Sequence, residues 1–442
     1  MADGLTGRDG STDRDDTTRR EYVKYGGTVV GGGLLAGCST QAGTDAASSG
    51  EVSSETTTAT ETTATAATET PSSTSESTSE TDSADDSWTV TMEPAGTRTF
   101  TSVPESYVVY HRGWADITAS LGQFDRLEGM LVPESFFPTE FYNRLPGVEI
   151  DLSGVQNLFG GSGDSVDKEV FYELAPDISM IDPYVATDYL GLDDESVEEL
   201  EETIGPFFGS FMRRPQYTDE HPYYSLYEGT KRAAAVFQQQ DRYEALKSFH
   251  DEFLSSVRER LPPATNRPSY AYMNMNWWGE FNEVYARKAR VPGYQHKPFR
   301  DLNVQSENNA FRDDFAAGKR SLTTDLEGLL EADPEVIVWH GGYTLVGGYS
   351  PGWYDGTMNW EEGVVETLRD DPVASEVTAV KEGRILPGNV IEAGPVTNLF
   401  NTEDIAKQLY PEEFGEFKPG EYDEEERLFD RQRLAEIVTG SM

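Results

Sequence analysis

The sequence predicts an α/β protein whose folded body has two lobes joined by a long helical element. Short apolar strands alternate with helical stretches both before and after one long helical stretch between Tyr227 and Leu261. The body begins near Trp88 and runs for about 355 residues, which is more than one hydrophobic core usually holds. These observations favour two α/β lobes over a single large domain.

The first lobe contains two strands with helices beside them. Tyr107 to Tyr110 is an apolar strand, and Ala115 to Leu121 begins a helix that ends at Gly122. Further along, the amphipathic stretch from Val170 to Leu174 precedes a second strand from Ile178 to Ile181. This order is typical of an α/β lobe.

The long helical stretch has apolar residues mostly at helical spacings, and it stops at Pro262 and Pro263. After it the alternation of strands and helices resumes. The later apolar elements are Tyr270 to Met275, Leu326 to Leu330, Val336 to Trp339, Val364 to Leu368, and Ile385 to Leu386.

The first 38 residues predict an exported lipoprotein. The run from Thr18 to Lys24, with Arg19 and Arg20 at its centre, resembles a twin-arginine export motif. The apolar run that follows ends at Leu35 and is shorter than the roughly 20 residues that a transmembrane helix needs. Leu35-Ala36-Gly37-Cys38 resembles a lipobox, which makes the Cys38 thiol the expected point of lipid attachment.

Cys38 is the only cysteine, which excludes an intrachain disulfide and a site with several cysteine ligands. Residues 39 to 87 contain no aromatic residue, Lys or Arg, and consist mostly of Thr, Ser and Ala with ten acidic residues. Because such a segment cannot bury enough apolar surface to offset its ordering entropy, we expect a disordered tether.

The formal net charge of -44 arises from 79 acidic and 35 basic residues. The electrostatic field of this negative charge repels the phosphate backbone of a nucleic acid, so we expect no nucleic acid partner. From residue 88 onward there are 63 acidic and 30 basic residues, so the excess extends into the body. Such a surface is typical of halophilic proteins, because at molar salt the Debye length is about 3 Å and self-repulsion is screened.

The expected organisation has five parts. A signal peptide covers residues 1–37, and the tether covers 38–87. An N-terminal α/β lobe covers 88–225, a helical bridge with the following helix covers 226–262, and a C-terminal α/β lobe covers 263–442.

Several short motifs follow one another along the body. They are Val103-Pro104-Glu105, Ala115 to Gly122, Asp125 to Gly129, Glu173 to Ile178, Leu326 to Val338, Asp371 to Ala374, Ala379 to Ile385, and Ala406 to Phe414. In this order they resemble the substrate-binding proteins of ABC importers for iron-siderophore complexes and vitamin B12. The stretches from Lys288 to Arg320 and from Gly341 to Trp360 look longer than that family's usual loops, which leaves the ligand identity open.

The resemblance implies two Rossmann-like lobes with central, mainly parallel sheets, bridged by one long rigid helix. It also implies a monomer that is anchored outside the cytoplasmic membrane and has an ABC permease and its ATPase as partners. The expected role is capture of a ferric siderophore or similar iron chelate, with cobalamin or haem as the alternative ligands.

Candidate ligand-binding residues are those that follow the predicted strands, because ligands of α/β lobes bind beyond the carboxyl ends of the strands. They are Tyr110, His111, Arg112, Trp114, Tyr184, Arg213, Arg214, Asn276, Trp277, Trp278, His340 and Tyr343. Aromatic rings and forked Arg donors suit the flat, partly apolar and often anionic outer face of a ferric chelate.

Each candidate also has a structural interpretation. In that interpretation the arginines pair with neighbouring carboxylates, and Trp277 and Trp278 pack between the lobes. His111 and His340 are the candidates for direct metal ligands, but we expect them to be hydrogen-bonded structural residues. We expect no resident cofactor.

An enzymatic role has little support. The run from Gly348 to Gly352 matches the Gly-x-Ser-x-Gly elbow of serine hydrolases, but Pro351 opposes the helix that the elbow needs and no His follows His340. We therefore expect no enzymatic activity. A surface adhesin or structural lipoprotein remains an alternative that shares the signal and the tether.

Overall fold

Two larger β-sheets with helices packed on them, together with an antiparallel hairpin of the first two strands, form the described body of the protein. A computed structural model of the chain describes residues 87–159, 165–213, 223–275, 284–315, 319, 321–343, 360–418, 420 and 422–442. Every described residue belongs to one compact unit. Arg19, Arg20, Cys38 and the predicted tether lie outside the described residues, and the lobe boundaries at 225 and 262 stay predictions.

The strands are short and begin at Trp88. They are β1 Trp88–Met92, β2 Gly96–Phe100, β3 Tyr107–Val109, β4 Leu127–Met130, β5 Gln156–Asn157, β6 Ile178–Met180, β7 Tyr270–Met275, β8 Val284–Arg287, β9 Ser321–Thr324, β10 Val336–His340 and β11 Ile385–Asn389.

The helices include two long ones near the middle of the chain and one long one near its end. They are α1 Arg112–Ser120, α2 Pro133–Phe136, α3 Thr139–Tyr142, α4 Lys168–Leu174, α5 Pro183–Asp188, α6 Asp194–Thr203, α7 Leu226–Val236, α8 Gln240–Arg260, α9 Lys297–Asp301, α10 Leu326–Ala332, α11 Thr367–Asp370, α12 Thr378–Lys381, α13 Pro395–Leu409, α14 Pro411–Phe414 and α15 Arg431–Thr439. None of the helices in the described ranges is long and apolar enough to cross a bilayer.

The predicted α/β class is confirmed. The first lobe is built on a parallel sheet with the strand order β5-β4-β3-β6, and the second lobe on a five-stranded sheet with the order β11-β10-β7-β8-β9. In the second sheet β7, β10 and β11 are parallel, whereas β8 is antiparallel to both β7 and β9. The connection from Met275 to Val284 is too short for the crossover of a dozen or more residues that parallel neighbours need. The second sheet is therefore mixed rather than mainly parallel.

Alternate residues of the strands face different cores. Tyr107 of β3 and Tyr272 of β7 belong to one large apolar cluster that contains residues of both lobes. Val108 faces a second cluster that belongs to the first lobe, and Ile337 of β10 faces a third that belongs to the second lobe. Because side chains alternate along a strand, each sheet is buried on both faces.

The helical stretch predicted between Tyr227 and Leu261 is two helices. A capping box between Ser225 and Glu228 starts α7, and α8 ends at Arg260, before the two prolines as predicted. Between the helices Gln238 takes a left-handed backbone conformation with φ of 53°. Phe237 is buried against the ring of Tyr107, with centroids 5.4 Å apart, so packing explains a break that no Gly or Pro marks.

Helix α13 lies between the lobes, and all of its residues are buried. Its amino terminus has no side-chain cap of its own, since Gly394 is the preceding residue. The carboxylate of Asp116, on α1 of the first lobe, accepts the backbone N–H groups of Val396 at 3.3 Å and Thr397 at 3.0 Å. Tyr142 donates its hydroxyl to the same carboxylate at 2.8 Å.

Asp116 therefore acts as the cap of a helix that is distant in sequence. A Cβ atom at Gly394 would lie 2.5 Å from the Cβ of Asp116, so this close approach requires glycine. Burial raises the pKa of Asp116, and the hydrogen bonds from Thr397, Tyr142 and Val396 oppose that shift. The contact links the first lobe to the central helix through buried polar groups, which are costly to leave unpaired.

Helix α13 also carries charged residues into the core. Arg431 pairs with Glu403, and the hydroxyl of Tyr422 donates to Asp404 at 2.8 Å. Lys407 donates to the carbonyl of Phe414 at 2.7 Å. Burial raises the pKa of Asp404 to about 7, and Arg144 opposes the shift.

We expect Asp116→Ala to lower the free energy of unfolding by at least about 2 kcal/mol, because it leaves buried N–H groups of α13 without an acceptor. Urea denaturation of the purified protein measures this. The matched control is Asp193→Ala, which removes an exposed cap of α6 that accepts from Ser196 at 2.8 Å and should cost about 1 kcal/mol. Equal losses in the two variants would show that Asp116 is an ordinary cap.

Asp404 should make stability depend on pH. Its pKa is about 7 in the folded protein and 3.8 in the reference state, so the folded state binds the proton more tightly. The free energy of unfolding should therefore fall as pH rises from about 4 to about 7, by up to about 4 kcal/mol. Asp404→Asn should remove this loss and the exposed Asp313→Asn should retain it, in urea denaturation series at pH 5 and pH 8. Parallel pH curves for wild type and Asp404→Asn would contradict the assignment.

Candidate functional site

The carboxyl ends of strands from both sheets contribute to one contact between the lobes. Backbone hydrogen bonds cross it, from the N–H of Tyr294 to the carbonyl of Met212 at 3.1 Å and from the N–H of Gln295 to the carbonyl of Arg213 at 3.2 Å. We call this contact the seam. Its members are His111, Met212 and Arg213 from the first lobe and Tyr294, Gln295 and Glu392 from the second lobe.

The polypeptide reaches the seam directly from its strands. His111 comes two residues after β3, and Glu392 comes three residues after β11. The segment that leads to Arg213 runs beside β6, because Phe207 forms a parallel bridge with Ser179. The rule that ligands lie beyond strand ends thus accounts for the positions of His111 and Glu392.

An ion pair is the central polar contact of the seam. Arg213 donates to Glu392 with an Nη1 to Oε1 distance of 2.7 Å, and the residues are 4% and 7% exposed. The second carboxylate oxygen lies 3.4 Å from Nδ1 of His111. Burial lowers the pKa of His111 to about 4, against the effect of Glu392, so His111 is neutral at pH 7.

A chain of hydrogen bonds continues from Arg213 into the second lobe. Its Nε atom donates to Oε1 of Gln295 at 2.9 Å, which leaves the Gln295 amide nitrogen 3.3 Å from Nε2 of His340. His340 Nε2 is then the acceptor, so Nδ1 carries the proton and donates to the hydroxyl of Tyr272. That hydroxyl is 3.4 Å from Oδ1 of Asn389. The polar network therefore holds His340 in one neutral tautomer.

His296 lies beside this chain. Its ring stacks on that of His340 with centroids 5.8 Å apart and an interplanar angle of 11°. Its Nε2 atom is 3.4 Å from the Gln295 amide nitrogen. Within the described part of the chain, no group of three or more His, Cys, Asp and Glu residues is arranged to hold a metal ion.

A small cavity opens beside the seam, with about 220 Å³ of empty space that includes a part open to solvent. Trp114 forms part of its wall and donates its indole N–H to the carbonyl of Ser210 at 3.2 Å. The lining residues are Tyr110, His111, Trp114, Asp182, Val185, Ser210, Phe211, Met212 and Tyr294. The free space there holds about one water molecule, so a chelate enters only if the walls of the cavity move.

Not all of the predicted site residues meet at this place. Arg112 pairs with Glu140 within the first lobe at 3.0 Å. Tyr343 is buried and accepts from Arg144 at 2.9 Å, and Tyr184 is 49% exposed at the start of α5. The remaining predicted residues, Arg214, Asn276, Trp277 and Trp278, lie outside the described residues.

The sequence analysis missed four residues of the seam, which are Met212, Tyr294, Gln295 and Glu392. Tyr294 and Gln295 belong to the stretch from Lys288 to Arg320, which follows no predicted strand. Glu392 obeys the strand-end rule, but the predicted strand stopped at Leu386 whereas β11 extends to Asn389. Extending that strand would have placed Glu392 among the candidates.

Comparison with known proteins agrees with this architecture. A sequence model of a family described as periplasmic binding protein matches residues 133–387. No curated protein sequence matches the chain.

Two solved structures illustrate the similarity of fold. One is CeuE of Helicobacter pylori with Ni(II) bound, which is 12% identical, with 80% of this chain and 96% of that chain covered and a TM-score of 0.51. The other is the petrobactin-binding protein YclQ of Bacillus subtilis, which is 14% identical, with 74% and 99% covered and a TM-score of 0.51. At these identities the likeness concerns the fold, whereas the family model spans more than half of the sequence, from the first lobe into β11, so the chain belongs to the periplasmic binding protein family.

Proposed function

We propose that this protein is the extracytoplasmic solute-binding subunit of an ABC importer and that it captures a ferric siderophore or a similar iron chelate. The observation that carries the proposal is the seam, where a buried guanidinium and several aromatic rings lie at the strand ends of two lobes. Petrobactin binding by YclQ, which has a similar fold, supports the same class of ligand.

The chemistry of the seam suits a molecule whose metal is already enclosed. A ferric chelate presents flat apolar edges and oxygen atoms to a protein. The rings of Tyr110, Trp114 and Tyr294 offer apolar surface, and Arg213 offers forked donors to oxygen. Such a ligand needs no protein group on the metal itself. Cobalamin and haem are alternative ligands for the same fold.

The proposal extends to location and partners. The twin-arginine motif and the Cys38 lipobox favour export and lipid anchoring on the outer face of the cytoplasmic membrane, and the acidic surface favours a halophilic organism. Exposed carboxylates of both lobes would contact basic loops of the permease. A role as adhesin or structural lipoprotein would account for the anchor but not for the buried polar seam.

We expect purified protein in molar KCl to bind at least one of four probes, a ferric hydroxamate, a ferric catecholate, cobalamin or haem, with Kd below about 10 μM, or about -7 kcal/mol. Quenching of tryptophan fluorescence measures this. Arg213→Gln should weaken the best ligand about tenfold or more through loss of charged hydrogen bonds. The exposed Arg312→Gln should not, and it is the matched control. If no probe binds in this range, the siderophore role should be abandoned.

Lipid anchoring has its own test. In cells that express the full chain, Cys38→Ala should move the protein from the membrane fraction to the soluble fraction, because no thiol remains for the lipid. Immunoblots of the two fractions measure the change. Retention of the variant on the membrane would contradict attachment through Cys38.

A further inference from the structure

The ion pair between Arg213 and Glu392 joins the two lobes. Arg213 belongs to the first lobe, yet its guanidinium donates to Glu392 at 2.7 Å and to Gln295 at 2.9 Å, both in the second lobe. The side chains of the pair are only 4% and 10% exposed. Any separation of the lobes must break these contacts.

A buried guanidinium requires a negative partner. When one member of a buried ion pair is removed, the other stays as an uncompensated charge in a poorly solvated place, which is strongly unfavourable. The closed seam is therefore stable only while some anion lies against Arg213. In this structure Glu392 is that anion.

His111 adds no hydrogen bond to Glu392. Its Nδ1 atom accepts the backbone N–H of Gly113 at 3.3 Å, so in the neutral ring this atom has no proton to offer the carboxylate. The 3.4 Å approach of His111 to Glu392 is thus a contact of two acceptors. Arg213 attracts Glu392 across the seam through their ion pair.

We propose that Glu392 is an internal substitute for the ligand, which occupies Arg213 while the seam is closed without ligand and is displaced by an anionic oxygen group of the chelate. The inference rests on the proposed function and names its substrate class: ferric chelates with negative charge on their outer face. When the seam opens, Arg213 loses Glu392 as its partner, and an anionic chelate can take the place of Glu392. A neutral chelate cannot, so Arg213 makes the site selective for anionic chelates, and Glu392 keeps the seam closed by competing with them.

The chain provides a matched control for this residue. Glu140 also forms a buried ion pair, with Arg112 at 3.0 Å, and the side chains are 5% and 6% exposed. Both members of that pair belong to the first lobe. Removing its carboxylate therefore perturbs a buried pair without releasing the seam.

The test compares Glu392→Gln with Glu140→Gln in titrations with two probes, a negatively charged ferric tris-catecholate and a neutral ferric tris-hydroxamate. Glu392→Gln should raise the affinity for the anionic probe at least about tenfold more than the affinity for the neutral probe, because only the anionic probe supplies the charge partner that Arg213 then lacks. Any gain from easier opening of the seam is shared by both probes. Glu140→Gln should leave the ratio of the two affinities as in the wild type. An unchanged ratio in Glu392→Gln would overturn the proposal.

A second measurement needs no ligand. The amides of Tyr294 and Gln295 bond across the seam, so their hydrogen exchange reports its opening. Exchange at these amides should be at least about tenfold faster in Glu392→Gln than in wild type, and unchanged in Glu140→Gln. Equal exchange in wild type and Glu392→Gln would refute the closing role. If wild type binds neither probe but exchange accelerates, the siderophore role fails while the closing contact stands.

A double variant keeps the test informative if Glu392→Gln alone fails to fold. Arg213→Gln with Glu392→Gln leaves no unpaired charge in the seam and should fold even if Glu392→Gln alone does not. It should show fast exchange at Tyr294 and Gln295 and no preference for the anionic probe. A preserved preference in this double variant would assign anion recognition to another residue and would overturn the role of the pair.

Discussion

The carboxylate of Asp116 at the amino terminus of α13 is the contact on which the arrangement of the lobes depends. A fully buried helix must satisfy its first N–H groups, and α13 does so with an acceptor from the other lobe. The same helix contributes Phe400 and Leu399 to the core shared by both sheets. The orientation of the lobes is thus tied to a hydrogen-bond requirement that apolar packing alone would leave unmet. Gly394 completes the arrangement, because a larger residue there would collide with Asp116.

The charges of the interior fall into two groups with different consequences. Those on and around α13, such as Glu403 with Arg431, connect elements that stay together and so contribute to one rigid body. The pair of Arg213 and Glu392 instead lies where two lobes meet beside a cavity. In a protein with an overall charge of -44, Arg213 and Glu392 balance each other in a buried pair, and the neighbouring His111 is neutral. Because this pair is buried, screening by salt matters less there than at the surface.

Much of the fold could be predicted from the sequence because apolar runs and prolines act locally. The strand from Tyr270 to Met275 and the end of α8 before Pro262 have the predicted limits. The break at Gln238 could not be predicted, since it arises from the burial of Phe237 against a strand far away in sequence. The extent of β11 was hidden by Pro387 and Gly388, which usually oppose a strand. At the edge of the sheet the missing N–H of proline is tolerated, and the close approach of Gly388 to the carbonyl of Trp339 excludes a side chain. Because the predicted strand ended too early, Glu392 was not recognised as a residue that follows a strand. The sequence patterns therefore located seam residues of the first lobe, His111 and Arg213, better than those of the second lobe.

The β1–β2 hairpin has a mechanical consequence. Trp88 is the first residue of β1, and it pairs with Phe100, the last residue of β2, from which the chain continues into the body. Tension applied to the amino-terminal side of Trp88 would therefore peel the hairpin open one residue pair at a time, beginning with this pair. The indole ring stacks on Phe100 with centroids 5.6 Å apart, and its N–H bonds the carbonyl of Ala235 on α7 at 2.9 Å. These contacts of Trp88 lie where a pulling force arrives first, so they must break before the rest of the hairpin can open.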